Sequence, residues 1–315
     1  MNPVFSYVTD HFSRYARLLA LSALGLSLLA ALLLSPSDAE SARTKRIVAL
    51  TPFAANALAD TGKRPAAIGR FAAGSTTKYT NYRSPRLKGV RQLTLSHPSG
   101  PNMEQIAQID PDVVLTSSEW RKGSQTMRDL AITVREMDPK RASDVPKKVS
   151  AIGYAYGNRA KTKALVKRIR AEIAYATKGS KNSPHPFTKR PRVLLVLGVG
   201  KTPYVFLGNS WGGSIMRSAG ASLLGGELTD SSGFAKVSDE YVVAQDPDII
   251  IGVPHGNSKD QDGIREHMLN NPAWSSTKAV ANHDVYALGD DDLLQPNIFV
   301  GRTIKRMRQS FLKNW

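Results

Sequence analysis

Histidine is the side chain through which this chain of 315 residues most readily reaches a metal: there are six histidines and no cysteine. Without cysteine, disulfides, thiolate chemistry, cysteine-ligated zinc and a lipid anchor on an N-terminal cysteine are excluded. His255 stands between Pro254 and Gly256, directly after the branched apolar run 248–253. Such a run suits a buried strand, and ligands of open α/β sheets sit beyond the carboxyl ends of strands. That places the His255 imidazole at a crevice as a candidate ligand or metal-binding group; a hydrogen-bonded loop histidine is the other reading. His97, in Ser96-His97-Pro98-Ser99, has a similar setting, whereas His11, His185, His267 and His283 read as surface residues. The same rule selects Thr51 and Phe53 after the apolar run 47–50, and Trp120 and Arg121 after 113–116. Tyr204 and Trp211 join them from the second half. Aromatic rings, hydroxyls and an arginine suit a large, flat, partly anionic ligand, with core packing as the alternative for Trp120 and Trp211.

Three further patterns carry other chemistry. Gly208-Asn209-Ser210-Trp211-Gly212 fits the G-x-S-x-G elbow of a serine hydrolase, with Asp248 and then His255 or His283 downstream. His283 precedes a strand where that architecture needs a histidine after one. Gly198-Val199-Gly200-Lys201-Thr202 resembles the end of a phosphate-binding loop, but Leu195 replaces its first glycine and Pro203 forbids the helix that should come next. Asp290-Asp291-Asp292 reads as a solvated loop, because three consecutive carboxylates point in different directions. No His/Asp/Glu spacing forms a self-contained metal cage, so a metal would arrive inside a chelate.

An internal echo supplies the elements that must hold these residues. Glu104 precedes Asp110-Pro111-Asp112 and a branched apolar run as Glu240 precedes Asp246-Pro247-Asp248 and another. Each copy reads as a short helix, a stop at the residue before proline, and a buried strand. Strands are expected at 47–51, 66–69, 113–116 and near Val134, then at 193–197, 204–207, 248–253 and 285–288. Long loops are expected at 71–87 and 92–102. Helices are expected at 145–156, 214–219, 239–245, 264–270 and 298–312. Between the halves, Ala160, Ala164, Leu165, Ile169, Ile173 and Ala176 recur at helical steps over 158–178, with Asn158 as N-cap and Gly179 as stop. About 20 helical residues span about 30 Å, enough to brace two lobes apart. The order strand, helix, strand in each half predicts two Rossmann-like α/β lobes of parallel character bridged by one long helix. The divisions expected are an N-terminal export segment at 1–39, a first lobe at 40–139, a connector with the linking helix at 140–186, and a second lobe at 187–315.

Residues 18–34 carry no charge and lie between Arg17 and the small residues Ser37 and Ala39. This is a secretory signal, or an uncleaved anchor, so the rest of the chain is exported. The excess of basic over acidic residues, 43 against 26, gives a net charge of +17, and all of it falls after residue 39. A basic surface favours anionic partners; nucleic acid is excluded by export.

The runs Arg46–Pro52, Asn102–Asp112, the linking helix, Val237–Asp248, Asn271–Trp274 and Val285–Leu288 together resemble the substrate-binding proteins of ABC importers for ferric siderophores, haem and cobalamin. The resemblance covers nearly everything after residue 45. It implies a monomeric binding protein and not an enzyme, with two lobes bridged by a rigid helix, little hinge closure, and delivery to a membrane permease and its ATPase at the outer face of the cytoplasmic membrane or in the periplasm. It implies no intrinsic cofactor; haem or a ferric siderophore is the transported ligand. In that family an acidic residue on each lobe meets basic residues of the permease; Glu240 matches the second-lobe position, and Glu119 is the first-lobe candidate. Pro254-His255-Gly256 is similar to the haem-binding members, where this histidine is an axial iron ligand opposite a first-lobe methionine. Here the matching segment, 92–102, has no methionine and offers His97.

Overall fold

Arg46 and Arg192 open the two halves of the fold in the same way. Each donates its backbone N–H to a carboxylate of the echoed segment: Arg46 to Asp112 Oδ2 at 2.5 Å, Arg192 to Asp248 Oδ2 at 2.8 Å. The structure, a computed structural model, describes residues 44–71, 81–96, 99–178, 190–198, 203–253, 261–288 and 292–313. Residues Arg46–Trp315 separate from Met1–Lys45 as a unit of their own. The expected export segment, His97, His255, residues 199–202 of the loop-like motif, and Asp290 and Asp291 lie outside the described residues.

The first lobe runs β1 (Ile47–Ala49), α1 (Pro52–Asp60), β2 (Ala67–Phe71), β3 (Arg91–Ser96), β4 (Gly100–Pro101), α2 (Met103–Ile109), β5 (Val113–Thr116), α3 (Arg121–Asp129) and β6 (Val134–Glu136). Its sheet has the order β4-β3-β2-β1-β5-β6, parallel throughout except for β4, which pairs antiparallel with β3. The first half of the loop expected over 92–102 is instead strand β3, in parallel register with β2 from Ala67 opposite Arg91 to Phe71 opposite Leu95. Leu93 and Leu95 alternate inward, and that two-residue period is the strand signal.

The chain then passes through α4 (Val145–Tyr156) and α5 (Arg159–Lys178), the linking helix, into the second lobe. There come β7 (Arg192–Leu197), β8 (Tyr204–Phe206), α6 (Trp211–Ala219), β9 (Ser222–Leu223), β10 (Phe234–Lys236), α7 (Asp239–Gln245), β11 (Ile249–Val253), α8 (Gln261–Leu269), α9 (Lys278–Ala281), β12 (Val285–Ala287) and α10 (Val300–Phe311). The second sheet has the order β10-β8-β7-β11-β12, with β9 also on β7; β7, β9, β11 and β12 are parallel, whereas β8 and β10 bring antiparallel pairing. This is the two-lobed α/β architecture that the sequence predicts, with mixed rather than purely parallel sheets.

The echoed helices match in detail. Asn102 caps α2 by accepting from Gln105 N at 3.0 Å, and Ser238 caps α7 by accepting from Tyr241 N at 3.3 Å. Both helices end on an aspartate in the left-handed region, Asp110 at φ 48° and Asp246 at φ 40°. Proline disfavours α geometry in the residue before it, and aspartate is among the few non-glycine residues that tolerate the left-handed alternative.

On α5 the buried face is Thr162, Leu165, Val166, Ile169 and Ala176, with Ile173 partly covered. Ala160 and Ala164, expected inside, are exposed. The face turns because α4 packs so closely that a Cβ at Gly153 would lie 2.3 Å from Thr162 Oγ1. At the other end, Arg308 of α10 donates to Ala219 O at 2.9 Å and to Ala176 O at 2.5 Å. One guanidinium thus satisfies carbonyls at the carboxyl ends of α5 and α6.

Candidate functional site

Thr51 follows β1 and caps α1, its hydroxyl accepting from Ala54 N at 3.3 Å and donating to Asp138 Oδ1 at 2.6 Å. Asp138 comes two residues after β6, so the bond joins two strand ends of the same sheet. Burial raises its carboxyl to about 7; the Thr51 bond opposes this, Glu119 adds to it and Lys148 works against it. Tyr82, whose hydroxyl donates to Gly69 O at 2.5 Å, is pushed well above the usual phenol range by burial and then by the Asp138 charge. Nearby, the buried hydroxyls of Thr116, Ser117 and Ser124 have no hydrogen-bond partner among the described residues. Orphan hydroxyls are uncommon in protein interiors, and these cluster where β5 gives way to α3.

Asp138 lies on the wall of a cleft of about 1380 Å³ lined by both lobes. The first lobe and connector contribute Ser118, Arg121, Glu136, Lys140, Arg141 and Lys148; the second contributes Arg190, Asn209, Arg217 and Ser222 among others. The second-lobe wall is therefore the flank of α6 with β9. Ser222 pairs with Arg192 at the amino end of β7, so this wall is not built from the carboxyl ends of β7 and β11. Segments 72–80, 97–98, 199–202, 254–260 and 289–291, which come after the carboxyl ends of β2, β3, β7, β11 and β12, fall outside the described residues.

Of the residues expected in the crevice, Arg121 lines the cleft and Thr51 reaches it through Asp138. Tyr204 is 46% exposed and paired with Leu197, at the carboxyl end of β7. Trp120 and Phe53 are fully buried, Trp120 with its ring 5.6 Å from that of Phe71, and both serve the first-lobe core. Trp211 is 6% exposed and donates its indole N–H to Asp292 O at 2.9 Å. Ser210 is the N-cap of α6, accepting from Gly213 N at 3.0 Å and donating to Leu207 O at 2.7 Å. Its hydroxyl is thus engaged in capping α6, both as acceptor and as donor.

Asp292, expected in a solvated loop, is 3% exposed and joins the lobes: it accepts from Arg83 of the first at 3.0 Å and from Arg306 of α10 at 2.8 Å. Asn56 of α1 positions Arg83 by accepting from the backbone N–H groups of Arg83 and Ser84 at 3.0 and 2.8 Å. Three adjacent carboxylates suggest solvation only while arginines distant in sequence are ignored. Among the described residues no group of three or more His, Asp or Glu side chains could hold a metal ion.

Glu240 is exposed at the second position of α7, where hydrogen bonding from Ser238 holds its carboxyl below the usual range. Its structural counterpart is not Glu119, which is exposed on the 3₁₀ turn Ser118–Trp120, but Glu104, exposed at the second position of α2. The sequence echo already aligned Glu104 with Glu240.

A family model described as Periplasmic binding protein matches residues 47–291. The chain is 28% identical over 273 residues to a protein of Halobacterium salinarum strain R1 named "Cobalamin-binding protein", covering 85% of this chain and 69% of that one. It is 24% identical over 245 residues to the "High-affinity heme uptake system protein IsdE" of Staphylococcus aureus strain MRSA252, covering 76% and 80%. Among solved structures, an ABC transporter substrate-binding protein from Listeria monocytogenes EGD-e superposes with a TM-score of 0.72 at 20% identity, covering 85% of this chain and 98% of that one.

Proposed function

The chain belongs to the periplasmic binding protein family, and from that premise we propose that it is the extracytoplasmic substrate-binding protein of an ABC importer, capturing a metal-bearing chelate and handing it to a membrane permease with its ATPase. The observation that carries this reading is the family match, which runs through both lobes and the linking helix, 47–291. The cargo proposed first is haem, with a ferric siderophore second. The likeness to a haem uptake protein and the position of His255 after β11 support haem, with His255 as an iron ligand and His97 as the candidate opposite it. A corrinoid is the competing cargo, favoured by the likeness to the Halobacterium protein. The protein holds its cargo without altering it, and Ser210, committed to capping α6, fits that role.

For docking, the pair proposed is Glu104 with Glu240. Each sits one residue past the start of an echoed helix, exposed, and six residues ahead of a left-handed aspartate. Export through the segment 18–34 places the two lobes on the permease side of the membrane; among the described residues no helix is long and apolar enough to cross it.

The test is titration of the purified chain with haemin and, separately, with cyanocobalamin. A Soret shift that His255→Ala weakens at least tenfold is the expected result. No shift with haemin together with saturable cobalamin binding would move the cargo to the corrinoid class, and binding of neither, nor of ferric siderophores, would overturn the importer reading.

A further inference from the structure

The linking helix α5 turns one side to solvent along its whole length. Ala160, Ala164, Ala171 and Ala174 form a line on that side, and Lys163, Lys167 and Arg170 form a second line beside it, at steps of three and four residues. All seven are exposed. A solvated helix face gains stability by placing acids and bases four residues apart, whereas Lys163 and Lys167, and then Lys167 and Arg170, set like charges at spacings where they repel. Nothing nearby offsets them. The side chains of these three cations make no hydrogen bond or ion pair with any described residue. The single acid of α5, Glu172, lies off this face and pairs with Arg168 at 3.6 Å, and Asp60 of α1 reaches the same arginine at 3.9 Å. The neighbouring helices α4 and α10, both packed on α5, carry no acid at all.

An exposed tyrosine stands beneath a cation at each end of the face. Tyr154 of α4 is 53% exposed, with the Arg159 guanidinium 5.6 Å from its ring centre; Tyr175 is 71% exposed, with the Lys305 ammonium of α10 at 5.9 Å. Tyrosine has an apolar body and a polar tip, which suits it to the boundary between water and a membrane. From Arg159 to Tyr175 the helix rises about 24 Å.

We propose that this face of α5 is a docking surface for an anionic lipid bilayer, lying along the headgroups with Lys163, Lys167 and Arg170 among the phosphates. The alanines keep the crest of the helix low, so the long arms beside them reach past it, and a plane is a partner that such a crest meets from end to end. An anionic lipid surface attracts each lysine or arginine brought near it, and the contributions accumulate. The choice of lipid over nucleic acid rests on the export reading; the surface itself is a property of α5.

Cosedimentation of the full chain with vesicles of phosphatidylcholine alone, and of phosphatidylcholine and phosphatidylglycerol in equal parts, tests it at low and at high salt. Segment 18–34 can enter both, so the quantity read is the ratio of the two affinities. The expected ratio at low salt is about tenfold or more in favour of the anionic vesicles, falling as salt screens the charges. The triple variant Lys163→Gln, Lys167→Gln, Arg170→Gln is expected to lose that preference. Ala164→Glu with Ala171→Glu, which keeps every cation and adds acids to the same face, is expected to lose it as well. Arg86→Gln, Lys88→Gln, Lys236→Gln removes as much charge from exposed positions elsewhere and is expected to keep it. No preference in the unchanged chain, or equal loss in the last variant, overturns the proposal. Binding of duplex DNA that needs the same three α5 residues, with no preference between vesicles, overturns it in favour of a soluble polyanion. Haemin titration of the α5 variants is expected to match the unchanged chain and reports separately on the importer reading, since either can fail while the other holds.

Discussion

Asp138 is a carboxyl group kept near half-protonation at neutral pH by burial, with one hydroxyl bond opposing the shift. Its folded value, about 7, lies above the ordinary 3.8, so between those two pH values the folded state retains a proton that the unfolded chain has lost. The sign follows by linkage: folding stability falls as pH rises from about 4 to about 7, and the penalty is constant above that window. Asp138→Asn keeps an oxygen that can accept from Thr51 but carries no titratable proton. Its urea midpoint is therefore expected to stay flat over that range where the unchanged chain declines, and to exceed it at pH 8. Parallel declines in both proteins would show that Asp138 is not the group responsible. At this scale the sequence is informative about position and poor about environment. It puts Thr51 just past β1 and Arg121 in the segment that follows β5, because the end of an apolar run is local information. It does not distinguish Trp120 and Phe53, which are buried, from Tyr204, which is exposed, because burial depends on elements far away in the chain. Asp138 and Asp292 are hidden for the same reason: what perturbs one is enclosure, and what engages the other is a pair of arginines, Arg83 lying 209 residues distant.

Helix packing shows what periodicity reveals and what it conceals. The linking helix α5 is legible because its two faces differ in polarity. Helix α1 is not: eight of its nine residues, from Pro52 through Ala59, are buried, so it has no polar face to set a period. Only the Thr51-Pro52 pair, a capping hydroxyl followed by proline at the first helical position, signals its start. Helix α10 crosses α5 at Gly301, where a Cβ would lie 2.6 Å from Glu172 Cβ and 2.7 Å from its backbone carbon. The second contact cannot be relieved by a change of rotamer. Gly301→Ala is expected to cost about 1–3 kcal/mol, as overpacking of a tight interior does, read from urea unfolding. Adding Glu172→Ala should restore little of it, and full restoration would mean that the side chain, not the helix backbone, sets the approach.

Across the whole molecule the repeated half is the organising fact. It puts Glu104 and Glu240 at equivalent points of α2 and α7, and a permease with a matching pair of basic patches would read both at once. Glu104→Lys and Glu240→Lys are each expected to lower stimulation of the transporter's ATPase at least tenfold while leaving haemin titration unchanged, with Glu119→Lys close to the unchanged chain. Loss confined to Glu119→Lys would return the first-lobe contact to the 3₁₀ turn. Both sheets also have a property that bears on how the protein is made. Among the described residues every strand of the first comes from 47–136 and every strand of the second from 192–287, with neither borrowing from the other. During synthesis the leading half can therefore complete its strand pairing while the trailing half is still being made. Nothing needs to be held open until the end arrives, and the bond from Arg83 to Asp292 closes among the last, once both halves have emerged.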